Sequence, residues 1–327
     1  MPDRIQPTRR DFLALAAGAF VVAAVPLAGR ARPRLVRRSV PAMGTVAELA
    51  AVHRDERWAQ AALDAAAREL LRVEGLMTRF RPDSDVGRAN RLAAAGAVPV
   101  SPETAFVLER ALAWAGAAEG GFDPCLALAV DLWDVKRRHA PPPPRAVQRL
   151  AGRRLYRALE VDARRGRPVV RYGERDVQVD LGGIAGGYGV DRAVAVLREW
   201  GVRDGFVNLG GDIYALGVSP EGDAWSVGVR SPADPARIVG SIALSDRAVA
   251  TSGDYEQFFE YGGRRYHHIL DPATGAPRVA PTHSVTVAAA ACLEADAATT
   301  ACFGLAPAAA GRLLAAAAPG AELVHLG

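Results

Sequence analysis

Asp296 and Thr300 lie four residues apart in the run ADAATTACF, Ala295 to Phe303. On a helix that spacing puts both side chains on one face. A carboxylate beside a hydroxyl is an oxygen pair suited to a hard divalent cation. Far upstream, DLGGIAGGYGVDRA from Asp180 to Ala193 supplies something for such a cation to act on. It reads as a strand ending in an acid, a glycine turn whose backbone can press against a phosphate, and then a helix. Together the two stretches point to a metal-assisted phosphate site.

Each stretch alone has a plainer reading. Glycine clusters between apolar runs mark turns. Thr300 can bond the carbonyl one turn back, and Asp296 can occupy the favoured first turn of a helix. GGIAGGY has neither the spacing of GxGxxG nor the Lys and Ser/Thr of a Walker loop, so the familiar phosphate loops are excluded.

Five more segments shift the balance. They are AMGTVAEL (Ala42 to Leu49), LMTRFRPDSDVGRAN (Leu76 to Asn90), GGFDPCLALAVDLW (Gly120 to Trp133), VNLGGDIYALG (Val207 to Gly217) and TSGDYEQFFEYGGRRYHHILDPATGAP (Thr251 to Pro277). In this order, with the two stretches above, they resemble the ApbE-type FAD:protein FMN transferases. The resemblance runs from about Met43 to Leu305; HHILDPATG and ADAATT are its most specific pieces and MGT its least.

The resemblance implies an α+β, T-fold-like architecture of mainly antiparallel sheets with packed helices. It implies Mg²⁺-dependent (or Mn²⁺-dependent) transfer of FMN from FAD to a Thr or Ser hydroxyl of another protein, with AMP released. Met43, Phe80, Gly121, Phe122 and Asp123 correspond to positions lining the FAD site, Phe80 where Tyr is common and Cys125 where Thr is usual. Asp180 is assigned to FAD, and Ile269 or Leu270 to packing on the adenine or flavin ring. Gly183, through its backbone carbonyl, corresponds to a metal ligand, as do Asp296 and Thr300; Thr299 adds a neighbouring hydroxyl. Gly186 departs from the pattern, since Lys or Glu commonly touches the nucleotide there. His267 and His268 alternate across a strand, so only one can face the site. The resemblance favours His268, whose imidazole can take a proton from an attacking hydroxyl, while Asp271 fixes the turn.

Two other classes share most of these residues. A hydrolase would split FAD to FMN and AMP with water at the same metal site. A passive flavin carrier would keep Met43, Phe80 and Asp123 without needing Asp296 and Thr300. The acceptor implied is an exported or membrane-facing redox protein with an FMN-binding domain, such as a subunit of an ion-pumping quinone reductase or a factor linked to nitrous oxide reduction.

The N-terminus fits such a partner. Thr8 to Leu13 forms a twin-arginine pattern, an Ala-rich apolar run follows to about Gly29, and small residues around Ala28 to Ala31 suit a signal peptidase. This marks 1–31 as a signal for the twin-arginine (Tat) export machinery and 32–327 as a periplasmic domain. A retained membrane anchor is the alternative, because the run is just long enough to span. The net charge is +4, of which residues 1–31 carry +2, leaving +2 on the rest. Such a balance gives no nucleic-acid signal.

The elements that must position these residues follow from apolar spacing. Trp58 to Glu74 and Thr104 to Ala118 read as helices, Val147 to Leu159 as a short helix, and Val169 to Val179 as antiparallel strands. Val190, Ala193, Val194 and Leu197 mark the inner face of the helix after the glycine turn, which ends near Gly201. Phe206 to Leu209, Trp225 to Arg230, Ile238 to Leu244, Tyr266 to Leu270 and Val285 to Ala290 read as strands, and Ala295 to Ala317 as one or two closing helices. At 50% hydrophobic content the 327 residues can bury a substantial core. Cys125, Cys292 and Cys302 lack CxxC spacing and read as buried free thiols.

Overall fold

Alternation along the central strands decides the architecture. In Thr45–His53, Ala47, Leu49 and Ala51 point to one apolar cluster and Ala50 to another. The same split separates Val207 and Leu209 from Phe206, and Tyr214 and Leu216 from Ile213 and Ala215. A strand buried on both faces needs a layer on each side. The computed structural model describes residues 20–22, 33–164, 166–231 and 237–326. Its main sheet has seven antiparallel strands in the order Glu322–Leu326, Ser284–Ala289, Arg247–Gly253, Asp212–Leu216, Gly205–Leu209, Thr45–His53 and Arg34–Ala42.

Helices Glu56–Met77 and Ala185–Glu199 cover one face; the hairpin Trp225–Arg230 with Ile238–Leu244 covers the other, and Phe20–Val22 pairs with its first strand. A larger cluster joins Pro102–Ala117, Cys292–Cys302 and Pro307–Ala317 to the small sheet Val98–Pro99, Val169–Tyr172, Leu159–Asp162. The α+β architecture is therefore antiparallel sheets with helices packed on them. Helix starts follow the capping rule: Asp55, Ser84 and Ser101 each accept a backbone N–H from the first turn. All three cysteines are buried and free. Among the described residues no helix is long and apolar enough to cross a membrane. Arg9 and Arg10 lie outside the described residues.

Several expected elements differ. Val147 to Leu159 is not one helix: Pro144–Gln148 stops, Gly152 (φ 66°) and Arg154 (φ 49°) turn through left-handed backbone, and a 3₁₀ turn, Leu155–Ala158, leads into a strand. A helix cannot run through two such residues. Pairing in Val169 to Val179 stops at Tyr172; Gln178 makes one parallel bridge to Leu126 and Asp180 lies beyond any strand. Asn90 holds this segment instead, its amide donating to the Val179 carbonyl and accepting the Val179 N–H. Tyr266 to Leu270 is interrupted at His268 and Ile269. The helix carrying Asp296 begins at Cys292, so Asp296 sits in its second turn rather than its first.

Candidate functional site

Two helix N-termini meet at the site because glycine lets them. A Cβ on Gly187 would lie 2.3 Å from the Cys292 carbonyl oxygen, so Ala185–Glu199 crosses Cys292–Cys302 at backbone contact. Asp191 locks the crossing by accepting the N–H groups of Cys292 (2.7 Å) and Leu293 (2.9 Å). Burial pushes its carboxyl up to about 6.

Around this crossing the structure gathers oxygen atoms. A Cβ on Gly183 would meet Thr300 Oγ1 at 3.0 Å, so the glycine backbone lies directly beside that hydroxyl. Asp296 Oδ2 accepts the Gly187 N–H at 2.9 Å. A Cβ on Gly186 would stand 2.7 Å from Asp212 Oδ2 and 3.4 Å from Asp296 Oδ2. Burial raises the Asp296 carboxyl; burial, then Asp296 and Asp191, push Asp212 well above the carboxylate range. Two carboxylates crowded at one point, with no basic side chain bonded to either among the described residues, suit a cation. Among the described residues no three His, Cys, Asp or Glu side chains form a metal cage, so a cation would take hydroxyl and backbone oxygens as well. Such a donor set suits Mg²⁺ or Mn²⁺ and disfavours soft metals. Gly183, Gly186, Asp296 and Thr300 thus come together.

Thr299 has its hydroxyl engaged on both sides. Its hydroxyl donates to the Asp296 carbonyl (2.8 Å) and accepts from Ser252 Oγ (2.9 Å). Ser252 also lies 3.5 Å from Thr300 Oγ1.

Met43 occupies left-handed backbone (φ 50°) in the tight turn joining Arg34–Ala42 to Thr45–His53, with Gly44 following at φ 77°. Its sulfur would sit 3.1 Å from a Cβ on Gly189, one turn along the helix from Gly186. Phe80 is 78% exposed, an unusual position for a phenyl ring, and Arg79 stacks over it at 4.4 Å. Arg79 also donates to Asp180 Oδ2 (2.7 Å) and Asp131 (2.7 and 3.0 Å). The other Asp180 oxygen accepts the Gly182 N–H at 2.8 Å. Asp180 therefore shapes the glycine turn and anchors the Phe80 loop.

Four expected nucleotide contacts are buried within the protein. Phe122 packs 3.4 Å from the Gly183 Cβ position. Asp123 accepts the N–H groups of Cys125 (2.8 Å) and Tyr156 (3.4 Å), and burial raises its carboxyl. Ile269 and Leu270 belong to two apolar clusters, Leu270 beside Trp133 and Phe259. Arg278, half-buried, donates to the carbonyls of Gly121 (2.6 Å) and Phe303 (2.6 Å), and so ties the Gly121 loop to the end of Cys292–Cys302.

The two histidines separate by hydrogen bonding. His267 Nε2 bonds the Arg278 carbonyl at 2.8 Å and Nδ1 accepts the Ile269 N–H at 3.3 Å, so both nitrogens are engaged. His268 Nδ1 faces the Gln257 carbonyl at 3.3 Å. A carbonyl only accepts, so Nδ1 carries the proton and Nε2 keeps its lone pair, with no partner among the described residues. Burial, then His267 and Lys136, press its pKa down to about 4 and keep the ring neutral.

Sequence reasoning passed over Arg79, Asp212, Ser252 and Arg278. Asp212 and Ser252 stood inside segments it had singled out, a carboxylate after two glycines and a serine before one; Arg278 carried no signal.

A family model described as the ApbE family matches residues 43–324. The FAD:protein FMN transferase of Treponema pallidum is 36% identical over 295 residues, 85% of this chain and 80% of that protein. Among solved structures, the ApbE protein of Thermotoga maritima superposes with a TM-score of 0.75 at 29% identity, covering 86% of this chain and 88% of that one. The flavin transferase ApbE from Vibrio cholerae does so with a TM-score of 0.75 at 28% identity, covering 87% and 91%.

Proposed function

The chain belongs to the ApbE family, and from that premise we propose that it moves FMN from FAD onto a Thr or Ser hydroxyl of an exported flavoprotein, releasing AMP. FAD:protein FMN transfer is the activity its curated relatives are named for. The observation that supports the finer reading is that one short glycine turn sets Gly183 beside Thr300 and Gly186 and Gly187 beside Asp212 and Asp296, at the crossing of two helices. Gly183, Asp296 and Thr300 would hold Mg²⁺ or Mn²⁺, with Asp212 beside them. A cation bound there supplies charge neutralisation for a pyrophosphate and a fixed orientation for it.

The protein's own groups account for the remaining steps. In the first turn of Ala185–Glu199 the Ala185 N–H is bonded to the Leu181 carbonyl and the Gly187 N–H to Asp296, so the Gly186 N–H is the one left among the described residues to meet a phosphate. The exposed Phe80 ring, steadied by Arg79, offers a face for the flavin. His268 Nε2 takes the proton as the acceptor oxygen bonds to the FMN phosphorus; the bond from that phosphorus to the bridging oxygen breaks, and AMP leaves with that oxygen. Water in place of the hydroxyl would give FMN and AMP. A passive carrier accounts for Phe80 but not for crowded carboxylates beside Gly186. The twin-arginine pattern around Arg9 and Arg10 supports a periplasmic setting for this chemistry.

The test incubates the protein with FAD, Mg²⁺ and a recombinant FMN-binding-domain protein, and reads covalent flavin by in-gel fluorescence. Wild type should label the acceptor and lose labelling with EDTA. Asp296→Asn keeps the shape but removes the charge a hard cation seeks, so transfer should fall by about 10²-fold or more while FAD still binds. Equal rates against Mg²⁺ concentration for wild type and Asp296→Asn would sink the metal site; free FMN without labelling would identify a hydrolase.

A further inference from the structure

The candidate site lies beside the most one-sidedly charged stretch of the chain. From Val135 to Leu159 there are eight Lys and Arg residues and no Asp or Glu, although the whole chain carries only +4. Lys136, Arg137 and Arg138 follow Ala127–Trp133, where Asp134 (φ 30°) ends the helix and turns the chain. Arg145 and Arg149 belong to Pro144–Gln148 and its cap, Arg154 precedes the 3₁₀ turn and Arg157 lies within it. Arg153 alone of the eight has acidic partners among the described residues, Glu174 (2.5 Å) and Asp176 (3.0 Å). Apart from the half-buried Arg138, all are exposed.

This stretch is clamped to two loops of the site. The Gly152 N–H donates to the Pro272 carbonyl (2.8 Å), and Trp133 Nε1 donates to the Gly275 carbonyl (2.7 Å), so both ends of the DPATG turn are held. Trp133 stacks on Tyr266, two residues before His268, with ring centroids 5.7 Å apart. On the other side the Tyr156 N–H reaches Asp123, and the Arg154 side chain lies over Gly120. The cations therefore form a band from the FDP loop to the segment that carries His268.

We propose that this band is the docking surface for the acceptor protein, which meets it with an acidic patch beside the hydroxyl to be modified. The proposal rests on the transferase reading given above. Unpaired exposed cations on one face raise the encounter rate with a partner of opposite charge and set its orientation. Seven of the eight are Arg, whose planar fork pairs with carboxylates two bonds at a time. Pro141 to Pro144 stiffens the link between the two halves of the band. The band carries more charge than one pyrophosphate can neutralise.

The test uses the full chain and three probes: a fluorescein-labelled peptide with one Thr and five Glu, its Gln-substituted match, and phosphatidylglycerol vesicles. The band variant combines Arg137→Gln, Arg138→Gln, Arg145→Gln and Arg149→Gln. A control removes equal charge elsewhere through Arg54→Gln, Arg57→Gln, Arg68→Gln and Arg312→Gln. Wild type and control should bind the acidic peptide alike, weakening as salt rises. The band variant should bind it about tenfold more weakly with FAD affinity unchanged. Equal binding by band variant and control overturns the proposal. So does a parallel loss of FAD affinity, which would make the band part of the nucleotide site, or binding of vesicles in preference to the peptide. Failure of the transferase reading looks different: the peptide binds as described, yet no FMN becomes attached to any protein.

Discussion

Arg79 and Asp180, 101 residues apart in sequence, meet through a 2.7 Å bond from Nε to Oδ2. Asp180 uses its other oxygen on the Gly182 N–H, and Arg79 uses its other nitrogens on Asp131 and its flat face on the Phe80 ring. One guanidinium thus fixes the glycine turn and the exposed aromatic ring relative to each other. Arg79→Lys keeps the charge but loses the fork and the stacking plane. FAD affinity should fall by about tenfold, the order of one charged hydrogen bond. Titration by flavin fluorescence checks it, and Phe80→Ala should remove most of the remaining ring contribution. Unchanged affinity in Arg79→Lys would mean that Phe80 is not held for the flavin.

Three neighbouring glycines should fail in three different ways. At Gly187 a methyl meets the backbone of Cys292 at 2.3 Å, where nothing flexible can yield, so Gly187→Ala should lower stability by ~1–3 kcal/mol or more. At Gly183 it meets the Thr300 side chain at 3.0 Å, so Gly183→Ala should fold but require more Mg²⁺. At Gly186 it meets the end of the Asp212 side chain, which can rotate away, so Gly186→Ala should be the mildest in stability. Gly186→Lys would send an ammonium past two carboxylates and compete with a cation there rather than simply restore a contact to FAD. Thermal melts of the three Ala variants, with Mg²⁺ titrations of Gly183→Ala and Gly186→Lys, test the ranking; a Gly187→Ala protein as stable as wild type would refute it.

Folded export predicts that Arg9→Lys with Arg10→Lys leaves the precursor in the cytoplasm, because the arginine pair is what the twin-arginine receptor reads. Cell fractionation decides it. Normal periplasmic yield of the double variant would remove the export reading.

What the sequence made legible was local or period-driven. The helix Ala185–Glu199 buries the four positions its spacing marked, and Trp225–Arg230 and Ile238–Leu244 keep their expected bounds. Asp296 and Thr300 share a helix because four-residue spacing needs no tertiary information. Asp180 was misread as a strand end because its segment is held by Asn90, about ninety residues away, a partner no pattern announces. Asp212, Ser252 and Arg278 escaped notice for the same reason: each acts by meeting a helix far along the chain. Phe122, Ile269 and Leu270 show the converse limit, since a motif match identifies a segment without saying which of its side chains turn inward.

As the proposed base, His268 should shape the pH dependence. Its pKa drops from 6.5 to about 4 in the folded protein, chiefly through burial, so the fold favours the neutral ring. The stability this contributes is fully present above pH 6.5. It is lost as pH falls from 6.5 toward 4, because the unfolded chain takes the proton first. For catalysis the same shift keeps Nε2 available as a base well below pH 6.5, and the acid limb due to His268 should lie near pH 4. His268→Asn should keep the bond to Gln257 yet lower turnover by about 10²–10⁴-fold and lose that limb. His267→Asn, which disturbs bonds to Arg278 and Ile269, should cost stability while the limb remains. Rate profiles from pH 4 to 9 under saturating Mg²⁺, with folding checked at each pH, distinguish the cases; an acid limb at 6.5, or full turnover in His268→Asn, would remove His268 from the reaction.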